Sequence, residues 1–207
     1  MKGLILKDFY NLSNYKKVLL FLILFYGVLG FATDSIASML GVIIVLSAAL
    51  TPTLFSYDEF SKWDCYALSM PLTRRDVVLA RYIVSATLVA ASTILTGVMI
   101  VIAGIIKPDT NTGEAWLSLK LMLAFALFFI SIMMPVCYKI GPEKGRLYMM
   151  ASIFLPIIGT FIFKHMGFSA PTEQQLLRGS NALLLLAVLF VVISYIISCR
   201  IFEKKEL

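Results

Sequence analysis

The feature that most constrains this chain is a succession of long apolar runs parted by short polar stretches. Residues 18–31 and 36–55 are the first two such runs. A soluble core has no need of several runs near the roughly 20 residues that cross a bilayer. An all-α integral membrane protein is therefore expected. The charge content agrees: 14% of residues are charged and 60% are hydrophobic, with a mean hydropathy of +0.91, where a soluble domain carries about a quarter charged residues.

Six transmembrane helices are predicted, near residues 18–31, 36–57, 77–105, 116–137, 147–163 and 181–201. Six spans use about 120 of the 207 residues and leave only loops and tails, so residues 1–207 are expected to form a single transmembrane domain. The first run is too long for a signal-peptide core and is expected to be retained. Residues 1–17 read as an N-terminal interfacial helix, with Leu4, Ile5, Phe9 and Leu12 on one face and Lys2, Lys7 and Asp8 elsewhere. The other reading makes them the start of the first span. Pro52 is expected to kink the second span, with Ser47 and Thr51 helping to satisfy the freed carbonyl. Pro135 falls near the inner end of the fourth span and Pro156 breaks the fifth. A short outer-loop helix is expected to start near Thr172, ahead of the sixth span.

Orientation follows from the basic residues. Fourteen of the 18 Lys and Arg fall on one side of this topology, the side of both termini, and Lys107, Lys120, Lys164 and Arg178 on the other. The positive-inside rule then puts the N- and C-termini of a multi-pass membrane protein in the cytoplasm. Cys65, Cys137 and Cys199 all fall near the cytoplasmic ends, where thiols stay reduced. The net charge of +6 is thus topological, and no basic block with interleaved aromatics points to nucleic acid.

Several chemistries are excluded. No G-x-x-x-x-G-K-[ST] pattern is present, so the chain is expected to hydrolyse no ATP by itself and to hold no cofactor. The single histidine, His165, makes no metal site alone. No zinc-protease motif or nucleophile elbow supplies catalytic residues. Ionisable groups in mid-span, the mark of ion-coupled carriers, are missing from the pattern. Arg81 and Lys120 fall near span ends and are expected to snorkel.

The segment 58–76 is the most informative. Phe60, Trp63, Ala67 and Met70 recur at helical spacing, while Asp58, Ser61, Lys62 and Asp64 lie mostly off that face. Pro71 stops the helix, and Thr73 with Asp76 resembles a capping box opening the third span. Spacing leaves two roles open: docking of a cytoplasmic partner, or rest on lipid headgroups. Ser47 with Thr51, and Ser85, Ser92 and Thr96, can share helix faces, either for close packing or as a translocation surface.

The pattern Glu59, Trp63, Asp64, Tyr66, Ser69, Pro71, Arg75 and then Arg81-Tyr82 resembles the ABC-2 type permease family, as does the opening Leu-x-Lys-Asp-Phe run. Within the family the chain is most similar to the small permeases of Firmicute peptide exporters, such as the phenol-soluble modulin exporters. The resemblance implies a permease dimer, of identical copies or close paralogues, bound to two separate ATPase subunits that hold ATP and Mg. It implies a coupling helix in the region 58–72, flanked by the N-terminal helix, with Asp58, Glu59, Phe60, Trp63, Asp64, Tyr66, Pro71 and Arg75 as coupling residues. The apolar interior with sparse hydroxyls suits an amphipathic peptide or a lipid-like molecule better than a sugar or an ion; the resemblance implies export of amphipathic or antimicrobial-type peptides across the bacterial cytoplasmic membrane. Two alternatives stand beside this one: a non-transporting immunity or sensor-associated membrane protein, and a small channel or secondary carrier.

Overall fold

The computed structural model describes residues 2–32, 36–68, 73–106, 112–142, 144–145, 148, 165 and 173–204. All regular structure among them is helical: α1 (Lys2–Ser13), α2 (Lys16–Ala32), α3 (Ile36–Ala49), α4 (Thr51–Phe60), α5 (Trp63–Leu68), α6 (Arg74–Ile106), α7 (Thr112–Ile140) and α8 (Glu173–Glu203).

By length and composition, four helical stretches among the described residues can cross a membrane: Gly41–Phe60, Arg74–Ile106, Gly113–Ile140 and Gly179–Glu203. A fifth arises if α1 and α2, bent by 61° at their junction, count as one span. The predicted fifth span, 147–163, lies outside the described residues, so the expected six are not all accounted for. At 1.5 Å per residue the 33 residues of α6 measure roughly 50 Å, well beyond a hydrocarbon core of about 30 Å. Length alone leaves part of α6 outside that core, and its charged residues, Arg74, Arg75, Asp76 and Arg81, all lie in the first turns.

Three local expectations are corrected. The short helix near Thr172 and the sixth span are one continuous α8 of 31 residues: no proline lies between them, and Gly179 costs a helix only about 1 kcal/mol. The second span is interrupted at Leu50, and Pro52 lies in the first turn of α4, where a missing N–H is tolerated. Ser47 does not serve the proline: its hydroxyl bonds the Ile44 carbonyl at 2.7 Å, while Thr53 caps the Leu50 carbonyl. Finally, the helix expected from Phe60 to Met70 breaks at Lys62, whose φ of 49° is left-handed. Phe60 ends α4 and Trp63 begins α5, so they do not share one helix face. Met70 lies outside the described residues.

Helix α7 is the centre of the bundle, packed on α8 and α3, with α6 against α3, α7, α8 and α1. Ile44, Met133, Met134, Val78 and Phe202 are sealed in this core. The α3–α7 approach needs Gly41, where an added Cβ would come within 2.7 Å of Met122 Cγ. Pro135 leaves the Ser131 carbonyl without its helical donor. Ser194 of α8 supplies a replacement, donating to that carbonyl at 2.7 Å. That spends the one proton of Ser194, so the Tyr82 hydroxyl donates to Ser194 at 2.6 Å and Ser198 donates to Tyr82 at 2.9 Å. A proline in α7 thereby fastens three helices together.

One end of the bundle gathers α1, the α4–α5 elbow, the first turns of α6 and the last turns of α7 and α8. Both described chain ends lie there. Gly141, at φ 88°, closes α7 with its N–H on the Cys137 carbonyl at 3.1 Å, a left-handed helix cap that glycine adopts without strain.

Candidate functional site

Helix α1 turns Leu4, Asp8 and Leu12 inward, one residue per turn. The expected stripe is thus rotated: Phe9 faces out at 39% exposure, and Asp8, expected off the apolar face, is 3% exposed. The reason is a matching cation. Arg81, two turns into α6, is 4% exposed and does not snorkel. Its Nη2 donates to Asp58 Oδ2, and its Nε lies 3.6 Å from Asp8 Oδ2. Lys7 Nζ donates to Asp58 Oδ1 at 2.5 Å and lies 3.4 Å from Asp8 Oδ1. Two cations and two carboxylates from α1, α4 and α6 form a closed, formally neutral quartet.

Aromatic rings wall this quartet. Phe55 stacks under the Arg81 guanidinium at 4.7 Å, and the Lys7 ammonium sits 4.3 Å over the Trp63 ring. Asp58 is the best served carboxylate, since both cations reach it at close range. Asp8 is the weaker member: its contacts are longer, and Oδ1 accepts no hydrogen bond among the described residues. Burial raises the Asp8 carboxyl above its ordinary range, against the opposing pull of Arg81 and Lys7. A cleft of about 70 Å³ opens beside Arg81, lined also by Asp58, Glu59, Tyr138 and Gly141, with room for a few water molecules.

The predicted coupling residues divide by position. Glu59, Phe60 and Tyr66 are exposed on the elbow, Phe60 at 87%. Trp63 is half-buried under Lys7, with its ring 5.3 Å from that of Tyr66. Asp58 faces inward into the quartet rather than outward. Arg75 is exposed and donates to Glu203 at 2.8 Å, while neighbouring Arg74 donates to the Phe202 and Glu203 carbonyls at 3.0 and 2.7 Å, capping the end of α8. The Asp64 side chain and Pro71 lie outside the described residues. Thr73 and Asp76 form a reciprocal capping box, at 3.1 and 3.2 Å.

The hydroxyl residues lie between helices. Ser47 meets Ser92 at 2.8 Å and Thr51 donates to Ser85 at 3.3 Å, joining α3 and α4 to α6. These four and Thr96 are all buried. Among the described residues no cluster of His, Cys, Asp and Glu could hold a metal ion.

Sequence reasoning missed Lys7, Asp8 and the burial of Arg81. A signal for Asp8 was available: it interrupts the Leu4–Leu12 stripe at helical spacing, and a carboxylate inside an apolar stripe demands a partner.

Comparison with curated proteins and with solved structures yields no match. A family model described as ABC-2 family transporter protein matches residues 3–203, which takes in every described helix from α1 to the last turn of α8. The chain therefore belongs to the ABC-2 family of transporter proteins, multi-pass membrane components of ABC transporters that work in the bilayer with an ABC ATPase and are not themselves catalytic.

Proposed function

We propose that the chain is the permease subunit of an ATP-driven exporter in the bacterial cytoplasmic membrane, moving amphipathic or antimicrobial-type peptides out of the cell. Two permease copies and two ATPase subunits form the working unit, and ATP and Mg bind in the partner. The observation that carries this reading is the α4–α5 elbow. Exposed Phe60 and Tyr66 stand beside exposed Glu59, at the bundle end that holds both described chain ends. Fourteen of 18 basic residues are assigned to that side, which supports a cytoplasmic setting. An aromatic and acidic projection suits the groove of a soluble partner. Trp63 and Asp58 carry its displacement inward, Trp63 through Lys7 and Asp58 through Arg81.

The peptide reading is supported by the sparse, mutually bonded hydroxyls between α3, α4 and α6. A path lined by Ser47, Thr51, Ser85, Ser92 and Thr96 requires that seam to part. Affinity purification at native expression should recover a P-loop ATPase, and a strain lacking this chain should lose specific peptides from its secreted pool, read by mass spectrometry. Recovery of no ATPase, together with an unchanged secreted pool, sinks the proposal.

A further inference from the structure

Lys7 touches the elbow on both sides of its turn. Before the turn it bonds Asp58 at 2.5 Å; after the turn its ammonium covers the Trp63 ring at 4.3 Å. The turn itself is held in a left-handed conformation at Lys62. On the other side of Asp58, Arg81 binds the same carboxylate and reaches back to Asp8 of α1. The ring of contacts runs from α1 to α4, to α6 and to α1 again, across 51 residues between Lys7 and Asp58 and 23 between Asp58 and Arg81.

A buried, neutral ion cluster is a poor way to gain stability. Apolar residues of similar volume commonly do as well, because both charges of each pair must first leave water. The best-attested use of such clusters is to fix one arrangement of elements against its alternatives. Here the arrangement fixed is the register of α1 against the elbow. Apolar contacts alone would fix it loosely: of the inward residues of α1, only Leu4 and Leu12 are apolar and fully buried. With Asp8 between them, α1 cannot slide or roll without pulling a carboxylate off Arg81.

We propose that Lys7 and Arg81 are positioning residues for coupling: with Asp58 and Asp8 they lock α1 and the α4–α5 elbow into one mechanical unit, so that a partner's push on the elbow is delivered to α1 as well as to α6. This rests on the elbow being the ATPase contact. Lys7 and Asp8, the whole share of α1 in the cluster, are the informative members to change together. Their joint removal leaves the neutral Arg81–Asp58 pair intact, so no charge is left single and the bundle still folds.

The test uses the full permease–ATPase complex in nanodiscs with Cys65→Ser. Spin labels replace exposed Tyr10 on α1, exposed Ser61 at the elbow and exposed Leu185 on α8. Distances are measured with and without ATP and vanadate. In the otherwise native protein, trapping is expected to move Tyr10 and Ser61 together relative to Leu185, with their mutual distance unchanged. In the double variant Lys7→Met with Asp8→Leu, which removes both ties of α1, the elbow displacement is kept while that of α1 is lost, with ATP still hydrolysed by the partner. Lys7→Arg with Asp8 retained, which keeps the charge and the ring contact, moves α1 with the elbow as in the native protein. An α1 that still follows the elbow in the double variant overturns the latch and leaves the coupling reading standing. An elbow that stays still in the native complex while ATP is hydrolysed overturns the coupling reading itself, and the latch with it.

Discussion

Three arginines occupy the first two turns of α6, and they meet their partners in opposite ways. Arg81 is walled in by Phe55, shares Asp58 with Lys7 and leaves its Nη1 without an acceptor among the described residues. Arg74 and Arg75, two turns earlier, reach the open end of α8, where Arg75 pairs with Glu203 at side-chain exposures of 72% and 40%. Residue type and helix are the same; solvent differs. In water an ion pair gains little over its separate hydrated charges. Out of water the charges cannot be left single, so each member of the quartet enforces the presence of the others. The exposed pair joins α6 to α8 in a way that can open and re-form. The buried set joins α6 to α1 and the elbow in a way that holds as a unit or comes apart.

The contrast is broken first at Asp58. Asp58→Asn leaves Arg81 and Lys7 facing each other with one carboxylate between them, and should destabilise the protein by about 3–5 kcal/mol. The double variant Asp58→Asn with Arg81→Met removes the charge and its partner together, and should recover a large part of that loss. Thermal unfolding in detergent, analysed as a double-mutant cycle, measures the coupling. If the double variant is no better than the single, the cluster is not acting as a mutually dependent set.

A smaller effect sharpens the same point through pH. Because burial raises the Asp8 carboxyl, the folded protein holds that proton more tightly than the unfolded chain does. Its contribution is fully present below the ordinary carboxylate range and is lost as pH rises through the raised folded value. Asp8→Asn should flatten that part of the stability–pH curve, with a change well below that of Asp58→Asn. Arg81, Lys7 and Asp58 all face Asp8, so an unchanged slope in the variant would assign the titration to another carboxyl.

How much of this was legible in the sequence depends on the range of the interaction. The apolar runs announce the helices, and the Thr73–Asp76 capping box forms as its local pattern indicates. The elbow's break at Lys62 carries no such signal, since lysine is not a residue that favours a left-handed turn. For Arg81, distance from the helix start gives depth along α6 but not the neighbour on that face. Only the docking of α1, some 70 residues earlier in the chain, turns a snorkelling position into a sealed one. The Tyr82–Ser194–Ser131 chain is likewise long-range: Pro135 foretells a free carbonyl, and only the packing of α8 on α7 says which hydroxyl takes it.

The smallest effect belongs to the exposed pair, and it separates structure from coupling. Arg75→Ala and Glu203→Gln should each leave the unfolding temperature unchanged, since both side chains remain hydrated when parted. Their effects on ATP-driven activity of the assembled complex need not be equal. If Arg75 acts only by holding α8 to the base of α6, removing either partner loosens the same tie, and the two variants should lower activity alike. If Arg75 instead faces the ATPase, Glu203→Gln frees it and leaves activity intact, while Arg75→Ala lowers it. Arg74 keeps the end of α8 capped in both variants through the Phe202 and Glu203 carbonyls, so a difference between them reports on the Arg75 side chain and not on fraying of the helix.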